Sequence, residues 1–303
     1  MKVEVLKTMK NYILSCCSTA DLSETHLNER DIKYVCFHYS LDGIEYKDDF
    51  GKSVSYDDFY NAMANGSETK TAQVNVDEYI EYFKQFLEQG MDILHVCLSS
   101  GLSGSFTSAN IAREELLEKY PQQKIYLVDS LAASSGYGLL MDKLADLRDG
   151  GMNIGNLYVW AEEHKLEVHH WFFSTDLTYY VKGGRISKAS GWFGTMLNIC
   201  PLLNMNNLGK LIPRHKIRGK KTVIKEIVSK MAEYAKDGAS YNEKCYISNA
   251  GCYEDAKEVA ALIEKHFPKL KGKVVINNIG TTIGSHTGPG TVALFFWGDK
   301  RAN

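Results

Sequence analysis

Short apolar runs alternate with amphipathic segments through the first half of the chain. Continuous apolar runs predict strands, and apolar side chains at helical spacing predict helices. The predicted strands are residues 11–15, 92–99 and 124–130. The predicted helices are residues 77–89, 106–120 and 136–148, and the apolar face of the first consists of Ile80, Phe83, Phe86 and Leu87. Because strands and helices alternate, we expect an α/β unit built on a parallel sheet.

The pattern changes after the Gly150-Gly151 pair and the polar segment 162–165. We therefore expect an N-terminal α/β domain (1–163) and a C-terminal α+β domain (164–303). The elements predicted in the second domain are strands at 167–174, 243–248 and 273–279, a hairpin at 201–218 that turns at 206–209, and helices at 220–236 and 254–267. This order predicts a mixed or antiparallel sheet.

Composition and charge narrow the class of protein. The length of 303 residues suits two globular domains, and a net charge of −2 argues against a nucleic-acid partner. Two uncharged stretches, 189–209 and 274–298, are long enough to cross a bilayer. Their asparagines, prolines and glycines would be costly in hydrocarbon, so we expect buried or ligand-facing protein instead.

The N-terminus and the cysteines predict a cytoplasmic location. The apolar run near the N-terminus is too short for a signal peptide. The seven cysteines form no CxxC motif and no Cys/His spacing that is typical of a metal site. We therefore expect free thiols in a reducing compartment, and no bound metal.

The loop after the predicted strand 92–99 carries the clearest candidate chemistry. Its sequence is Ser99-Ser100-Gly101-Leu102-Ser103-Gly104-Ser105. Ligands of parallel sheets bind beyond the carboxyl ends of the strands, where glycines let backbone amides approach an anion at the start of the next helix. Serine and glycine that only cap the helix would give the same pattern. Since neither a GxGxxG motif after the first strand nor a GxxxxGK[ST] motif is present, a single anionic head group fits better than a nucleotide.

Two further segments contain candidate binding groups. In 182–187, Arg185 follows a glycine pair, and its guanidinium suits a carboxylate or phosphate, although a plain surface turn is the alternative. In 284–290, His286 lies in a glycine-rich loop, where packing alone explains a histidine poorly. Ser103 and His286 do not complete a hydrolase pattern, because the GxSxG spacing is missing and no acidic partner is marked.

Taken in order, these segments resemble the motifs of the DegV family over almost the whole chain. The matching segments are 17–22 (Cys-Ser-Thr-Ala-Asp-Leu), 71–75 (Thr-Ala-Gln-Val-Asn), 99–105, 182–186 (Lys-Gly-Gly-Arg-Ile) and 286–290 (His-Thr-Gly-Pro-Gly). The chain departs from the family pattern at four positions. Cys17 replaces an aspartate, Ala72 replaces a serine, and Val74-Asn75 replaces Pro-Ser.

The resemblance implies a two-domain α/β protein that binds one long-chain fatty acid between its domains. It implies no catalysis and no cofactor of its own. In fatty acid kinase systems, such a protein presents the carboxylate to a separate ATP-using kinase, and the acyl phosphate can enter phospholipid synthesis. Transient contact with a membrane surface is compatible with such a ligand.

The resemblance also assigns residues. Those expected to hold the carboxylate are Thr71, Ser103, Gly104 and His286. Secondary head-group or first-loop contacts are expected from Ser18, Ser100, Ser130 and Thr287. Arg185 is expected to face the kinase or the head-group entrance.

Burial of the tail would supply most of the affinity. A sixteen-carbon chain could contribute on the order of 10 kcal/mol before ordering costs, at about 0.8 kcal/mol per methylene. Residues 191–203 and 276–297 are natural walls for a tunnel, although a dry core would have the same pattern.

Two other functions stay open at this point. One is an enzyme, either a small-molecule kinase subunit or an acyl hydrolase that uses Ser103. The other is a surface-binding regulator that has lost the ligand but kept the fold.

Overall fold

The computed structural model describes residues 12–187 and 198–302, which form three sheets and the helices around them. The strands are β1 (Tyr12–Cys17), β2 (Ile32–Val35), β3 (His38–Leu41), β4 (Ile44–Lys47), β5 (Thr69–Ala72), β6 (Asp92–Cys97), β7 (Ile125–Asp129), β8 (Val168–Phe173), β9 (Ile199–Met205), β10 (Leu211–Arg218), β11 (Tyr246–Asn249), β12 (Val275–Asn278) and β13 (Val292–Trp297). The helices are α1 (Glu24–Glu29), α2 (Tyr56–Ala64), α3 (Val76–Leu87), α4 (Ser105–Lys119), α5 (Ser135–Asp149), α6 (Ile154–His164), α7 (Thr178–Lys182), α8 (Lys220–Tyr234), α9 (Tyr253–His266) and α10 (Thr281–Thr287).

The first sheet is parallel, as the alternating pattern predicts. Its strand order is β2-β1-β6-β7, and each neighbouring pair is parallel. Nearly all residues of β1 and β6 are buried, because helices cover both faces of such a sheet. The carboxyl ends of β1, β6 and β7 therefore lie on one edge, where the loops that follow them meet.

The second sheet is mixed, which confirms the predicted α+β arrangement. Its order is β10-β9-β8-β13-β11-β12, and every pair is antiparallel except β11 with β12. The predicted hairpin is β9 and β10, joined by a turn in which the Asn206 side chain accepts the amides of Leu208 and Lys210.

Helix α5 packs tightly between the loop after β1 and the second sheet. A Cβ atom on Gly136 would overlap His170 of β8, and one on Gly138 would lie 2.6 Å from the carbonyl oxygen of Ala20. Glycine at both positions therefore permits the close approach. One apolar core continues through both sheets and this helix.

The third sheet was not expected. It consists of β4, β3 and β5 in antiparallel order, and it carries Thr71 toward the loop at 99–105. Strands β3 and β4 are joined by Asp42-Gly43, both with positive φ. A two-residue Asp-Gly turn is a strong hairpin signal, so the sequence did contain an indication of this sheet.

One predicted loop is a helix. Residues 284–290 were expected to form a glycine-rich loop around His286, but α10 extends to Thr287 and His286 lies in its last turn. Within the described part of the chain, no helix has the length and apolar composition that are needed to cross a bilayer.

Candidate functional site

A cavity of about 670 Å³ lies where the first sheet, the third sheet, α10 and the second sheet meet. Its apolar lining comes from several elements and includes Phe37, Leu98, Leu102, Ala133, Phe172, Met205, Leu211, Ile279, Ile283, Ala293 and Phe295. Its polar lining includes Thr71, Gln73, Ser103, Arg185 and His286. Arg185 is the one permanently charged side chain among the lining residues that the structure describes. The cavity thus combines a long apolar wall with a single cation.

The four residues expected to hold a carboxylate all line this cavity. Thr71 comes from β5, Ser103 and Gly104 from the loop before α4, and His286 from α10. A strand, a loop and a helix from distant parts of the sequence therefore bring these four residues to one cavity.

The loop at 99–105 supports the start of α4. The Ser105 amide donates a 3.2 Å hydrogen bond to the Ser103 hydroxyl oxygen, so this serine does cap the helix. Since a hydroxyl also has one proton to donate, Ser103 can still donate to a ligand. The positive end of the fifteen-residue helix α4 faces the same place. Capping and anion binding are therefore compatible.

His286 connects the third sheet with the loop after α7. Its Nε2 atom lies 2.8 Å from Thr71 Oγ1, and its Nδ1 atom lies 3.3 Å from Arg185 Nη1. The guanidinium also donates to the carbonyl oxygens of Leu102 and Gly183. Arg185 is therefore half-buried and held at three places, rather than lying on an open surface turn.

Burial decides the charge state of this cluster. Burial, and after it the nearby positive charge of Arg185, lower the pKa of His286 to about 4. The imidazole is neutral at pH 7. Burial also lowers the pKa of Arg185, but a guanidinium stays protonated in proteins. The site consequently carries one positive charge.

The Gly183-Gly184 pair has a steric role. A Cβ atom on residue 183 would overlap the Nδ1 atom of His286, and Gly184 has a φ of +72°, which favours glycine. The pair allows the chain to turn close against His286 while it presents Arg185 to the same ring.

Helix α10 is anchored by two buried carboxylates. Asp21 accepts the Gly280 amide at 3.0 Å, and Asp48 accepts both the amide and the hydroxyl of Thr281, at 3.2 and 2.8 Å. Burial raises the pKa of Asp21 and of Asp48 above the usual range for aspartate. These bonds fix the helix that carries His286, and Asp48 lies outside every motif recognised in the sequence.

Only one of the secondary contacts lines the cavity. Thr287 does, whereas Ser18, Ser100 and Ser130 lie outside the lining. Ser18 donates to Asp48, and the Ser130 hydroxyl bonds within its own turn to Ala132. Ser100 is exposed, and its amide donates to Asp129. These serines support the loops around the site.

The departures from the DegV motifs fall in different environments. Cys17 is fully buried beside Tyr79 and His95 and is not a lining residue, whereas Ala72 lines the cavity. Asn75 caps α3 in a reciprocal arrangement with Glu78. Asn75 also lines the cavity, so the departures at Ala72 and Asn75 are the two that bear directly on it.

The predicted tunnel walls are only partly found. Residues 276–297 contribute lining side chains from Ile279 to Phe295. Of the other predicted wall, residues 191–197 lie outside the described residues, and 198–203 are not among the lining, which instead includes Met205 and Leu211. The hairpin therefore reaches the cavity through its turn-proximal ends.

The lining contains residues that sequence reasoning missed. They are Gln73, Asn75, Ser134, His170, Tyr180 and Thr291, among others. His170 and Tyr180 are nearly completely buried, so a hydrophobicity pattern does not distinguish them from ordinary core residues. Gln73 lies two residues after Thr71 in the segment that matches a DegV motif, so that position did carry a signal.

The arrangement offers little to a hydrolase. His286 contacts Thr71 rather than Ser103, and its other nitrogen faces a cation instead of an orienting carboxylate. Among residues 12–187 and 198–302, no group of three or more His, Cys, Asp or Glu side chains could hold a metal ion.

A parallel sheet and a mixed sheet that share one largely apolar cavity define an α/β protein of the DegV type. The chain belongs to this family. The sequence model of the family, whose description reads uncharacterised protein, DegV family, matches residues 17–299. A DegV domain-containing protein of Clostridium perfringens is 37% identical over 97% of this chain and 99% of its own length.

Solved structures have the same fold. A DegV lipid-binding protein from Thermotoga maritima superposes with a TM-score of 0.81 at 26% identity, over 96% of this chain and 99% of that one. The fatty acid kinase B3 protein of Streptococcus pneumoniae, loaded with linoleic acid, gives a TM-score of 0.80 at 22% identity, over 95% and 99%.

Proposed function

We propose that this protein binds one long-chain fatty acid in the cavity and presents its carboxylate to a separate fatty acid kinase. The cavity lies between an N-terminal domain that ends near residue 163 and the remainder of the chain. The protein itself acts as a carrier without a cofactor. Its proposed place of action is the cytoplasm, in keeping with the seven unpaired cysteines.

The lining of the cavity is the observation that carries this proposal. Apolar side chains make up about half of this lining, and at one place a threonine hydroxyl, a neutral histidine and a lone guanidinium contact one another. Such a cavity suits a molecule with one anionic group and a long apolar part. A volume of about 670 Å³ lies within the range of small-molecule pockets.

The carboxylate is proposed to bind at Thr71, Ser103 and the Gly104 amide, with His286 behind Thr71. Each hydroxyl can donate one hydrogen bond, and the first turn of α4 adds the positive end of its dipole. The tail is proposed to extend along Phe172, Ala293 and Phe295, which belong to the apolar part of the lining.

The coupling to a kinase is supported by the likeness to the fatty acid kinase B3 fold and by Arg185. This side chain is half-buried at the proposed head-group end, so its exposed part is available to a partner's acidic residue or to the transferred phosphate. A carrier that exchanges its ligand with lipid would also touch a membrane surface transiently.

Mass spectrometry of the denatured protein tests the proposal directly. We expect a stoichiometric fatty acid to be released, and the delipidated protein to take up oleic acid with a one-to-one end point. Protein that is empty after purification and takes up neither oleic nor palmitic acid would contradict it.

The kinase step needs a second experiment. With oleic acid bound, we expect ATP-dependent formation of oleoyl phosphate when the kinase from the same organism is added, and none with either protein alone. Stoichiometric binding without acyl phosphate formation would keep the carrier and refute the coupling.

A further inference from the structure

The geometry points to Arg185 as a positioning residue: we infer that it fixes the hydrogen-bond direction through His286, so that Thr71 donates its proton to the ligand. This inference rests on the proposed function, because it names the group that orients the carboxylate site. It also gives Arg185 a role in ligand binding, in addition to any contact with a kinase.

The first step concerns the contact between Arg185 and His286. The Nη1 atom of Arg185 lies 3.3 Å from the Nδ1 atom of His286. A guanidinium has only N–H donors, so it can form a hydrogen bond here only if Nδ1 is unprotonated and accepts. The second proton of Nη1 is donated to the Gly183 carbonyl oxygen.

The second step follows from the neutral state of the ring. A neutral imidazole carries one proton, and with Nδ1 as acceptor that proton is on Nε2. Nε2 lies 2.8 Å from Thr71 Oγ1, so it donates to the threonine oxygen.

The third step concerns the threonine itself. Its oxygen accepts from His286, and among residues 12–187 and 198–302 the Thr71 side chain has no other hydrogen-bond partner. The hydroxyl proton is thus free to point into the cavity that Thr71 lines. With the opposite tautomer, Thr71 would donate to Nε2 and would present only an acceptor to a carboxylate, which also only accepts.

The packing supports a fixed contact. Gly183 leaves room for His286 Nδ1, and the Arg185 Nε atom is held by the Leu102 carbonyl at 3.1 Å. The guanidinium is therefore positioned from the loop that also contains Ser103.

A double-mutant cycle tests the inference. Oleic acid affinity is measured by displacement of a fluorescent fatty acid for the wild type, Arg185→Met, Thr71→Val and the double variant. We expect each single change to weaken binding by about 10-fold to 100-fold, as for one hydrogen bond to a charged group. We expect the double variant to be little weaker than Thr71→Val alone, because Arg185 acts through Thr71.

Three measurements separate this role from simple charge attraction or a structural defect. Nitrogen-15 NMR of the histidine rings, with the His286 signal assigned by its loss in His286→Gln, should show a proton on Nε2 in the wild type and a shifted tautomer balance in Arg185→Met. Arg185→Lys, which keeps a donor, should restore much of the affinity. Oleamide, which has no charge, should lose affinity in Arg185→Met as oleic acid does.

The failures are distinguishable. A wild type that binds no oleic acid refutes the proposed function, while the tautomer remains measurable. Additive losses in the cycle, a proton on Nδ1 in the wild type, or unchanged oleamide binding in Arg185→Met would overturn the positioning role.

Discussion

The Nδ1 atom of His286 lies against Gly183, in the space that a Cβ atom of any other residue would need. Gly183 has an ordinary φ of −76°, so steric room and not backbone conformation requires glycine there. The Gly-Gly-Arg segment and the histidine near the C-terminus, about a hundred residues apart, are therefore complementary parts of one site.

This contact predicts the effect of Gly183→Ala. The added methyl group must displace either the His286 ring, which breaks its contact to Thr71, or the 182–187 turn, which breaks the contact of Arg185 to His286. We expect oleic acid affinity to fall at least about 10-fold, the loss of one hydrogen bond to a charged group, while the circular dichroism spectrum is retained.

Gly184→Ala provides the contrast. Its φ of +72° makes alanine strained, but nothing lies within 4 Å of a Cβ there. We expect a loss of unfolding free energy of about 1 kcal/mol with affinity largely retained. Equal affinity of Gly183→Ala and wild type would show that His286 does not contribute to the ligand site.

The sequence predicted the chemical types at this site but not their contacts. From the sequence, the glycines before Arg185 suit a surface turn, and those around His286 suit a glycine-rich loop. In the structure, Gly183 provides space for His286. Gly284 is part of helix α10, where its lack of a side chain leaves room for Tyr60 of α2. A sequence pattern does not distinguish these uses, because the neighbouring atom comes from a distant part of the chain.

The fold was more predictable where hydrophobic periodicity is strong. The parallel strands β1, β6 and β7 and the long helices between them agree with the predicted alternation within a few residues. The third sheet was missed because its strands have only four residues each and no clear alternation of apolar positions. Its position matters, since β5 carries Thr71.

We expect the hydroxyl groups of Thr71 and Ser103 to contribute similarly to oleic acid affinity. Thr71→Val keeps the shape and removes the donor, and Ser103→Ala removes the donor at the start of α4. Each should weaken oleic acid binding by about 1 to 3 kcal/mol, as when a buried polar partner is left unpaired. Isothermal titration calorimetry of delipidated protein measures the change.

Control variants are available on the same elements. Thr69→Val makes the same exchange on β5, two residues away on the same face but outside the cavity lining, and Ser100→Ala changes an exposed serine of the same loop. Both should bind as the wild type does. If all four variants bind equally, the head group lies elsewhere.

The apolar wall predicts a change in chain-length preference. Ala293 faces the cavity from β13, next to Phe172 on β8. Ala293→Leu adds three carbon atoms to that wall and should exclude long tails first. We expect the affinity for an eighteen-carbon acid to fall by at least tenfold, about 1.4 kcal/mol, while a ten-carbon acid binds as before.

Competition between the two acids on one preparation measures this ratio. An unchanged ratio would mean that the tail does not pass Ala293, even if the carboxylate site is correct.

Asp142 predicts a pH-dependent contribution to stability. This buried carboxylate of α5 accepts from Lys244 at 2.6 Å and from the Tyr246 hydroxyl at 2.7 Å, and His26 and Arg30 approach its other oxygen. Burial alone would raise the pKa of Asp142, but the hydrogen bonds from His26, Lys244 and Tyr246 hold it well below its usual range.

The sign of the effect follows from linkage. Because the pKa of Asp142 is lower in the folded state than in the unfolded chain, its contribution is present above about pH 4 and is lost as the pH falls below that value. Asp142→Asn should therefore reduce the free energy of unfolding by about 3 kcal/mol at pH 7, and the difference from wild type should shrink steadily below pH 4.

Asp146→Asn is the matched control on the same helix, since the Asp146 carboxylate binds Arg30 and Lys244 but is 43% exposed. Its cost should be about 0 to 1 kcal/mol. Urea unfolding at several pH values measures both variants, and equal costs at pH 7, or a difference that grows toward acid, would contradict the proposed role of Asp142.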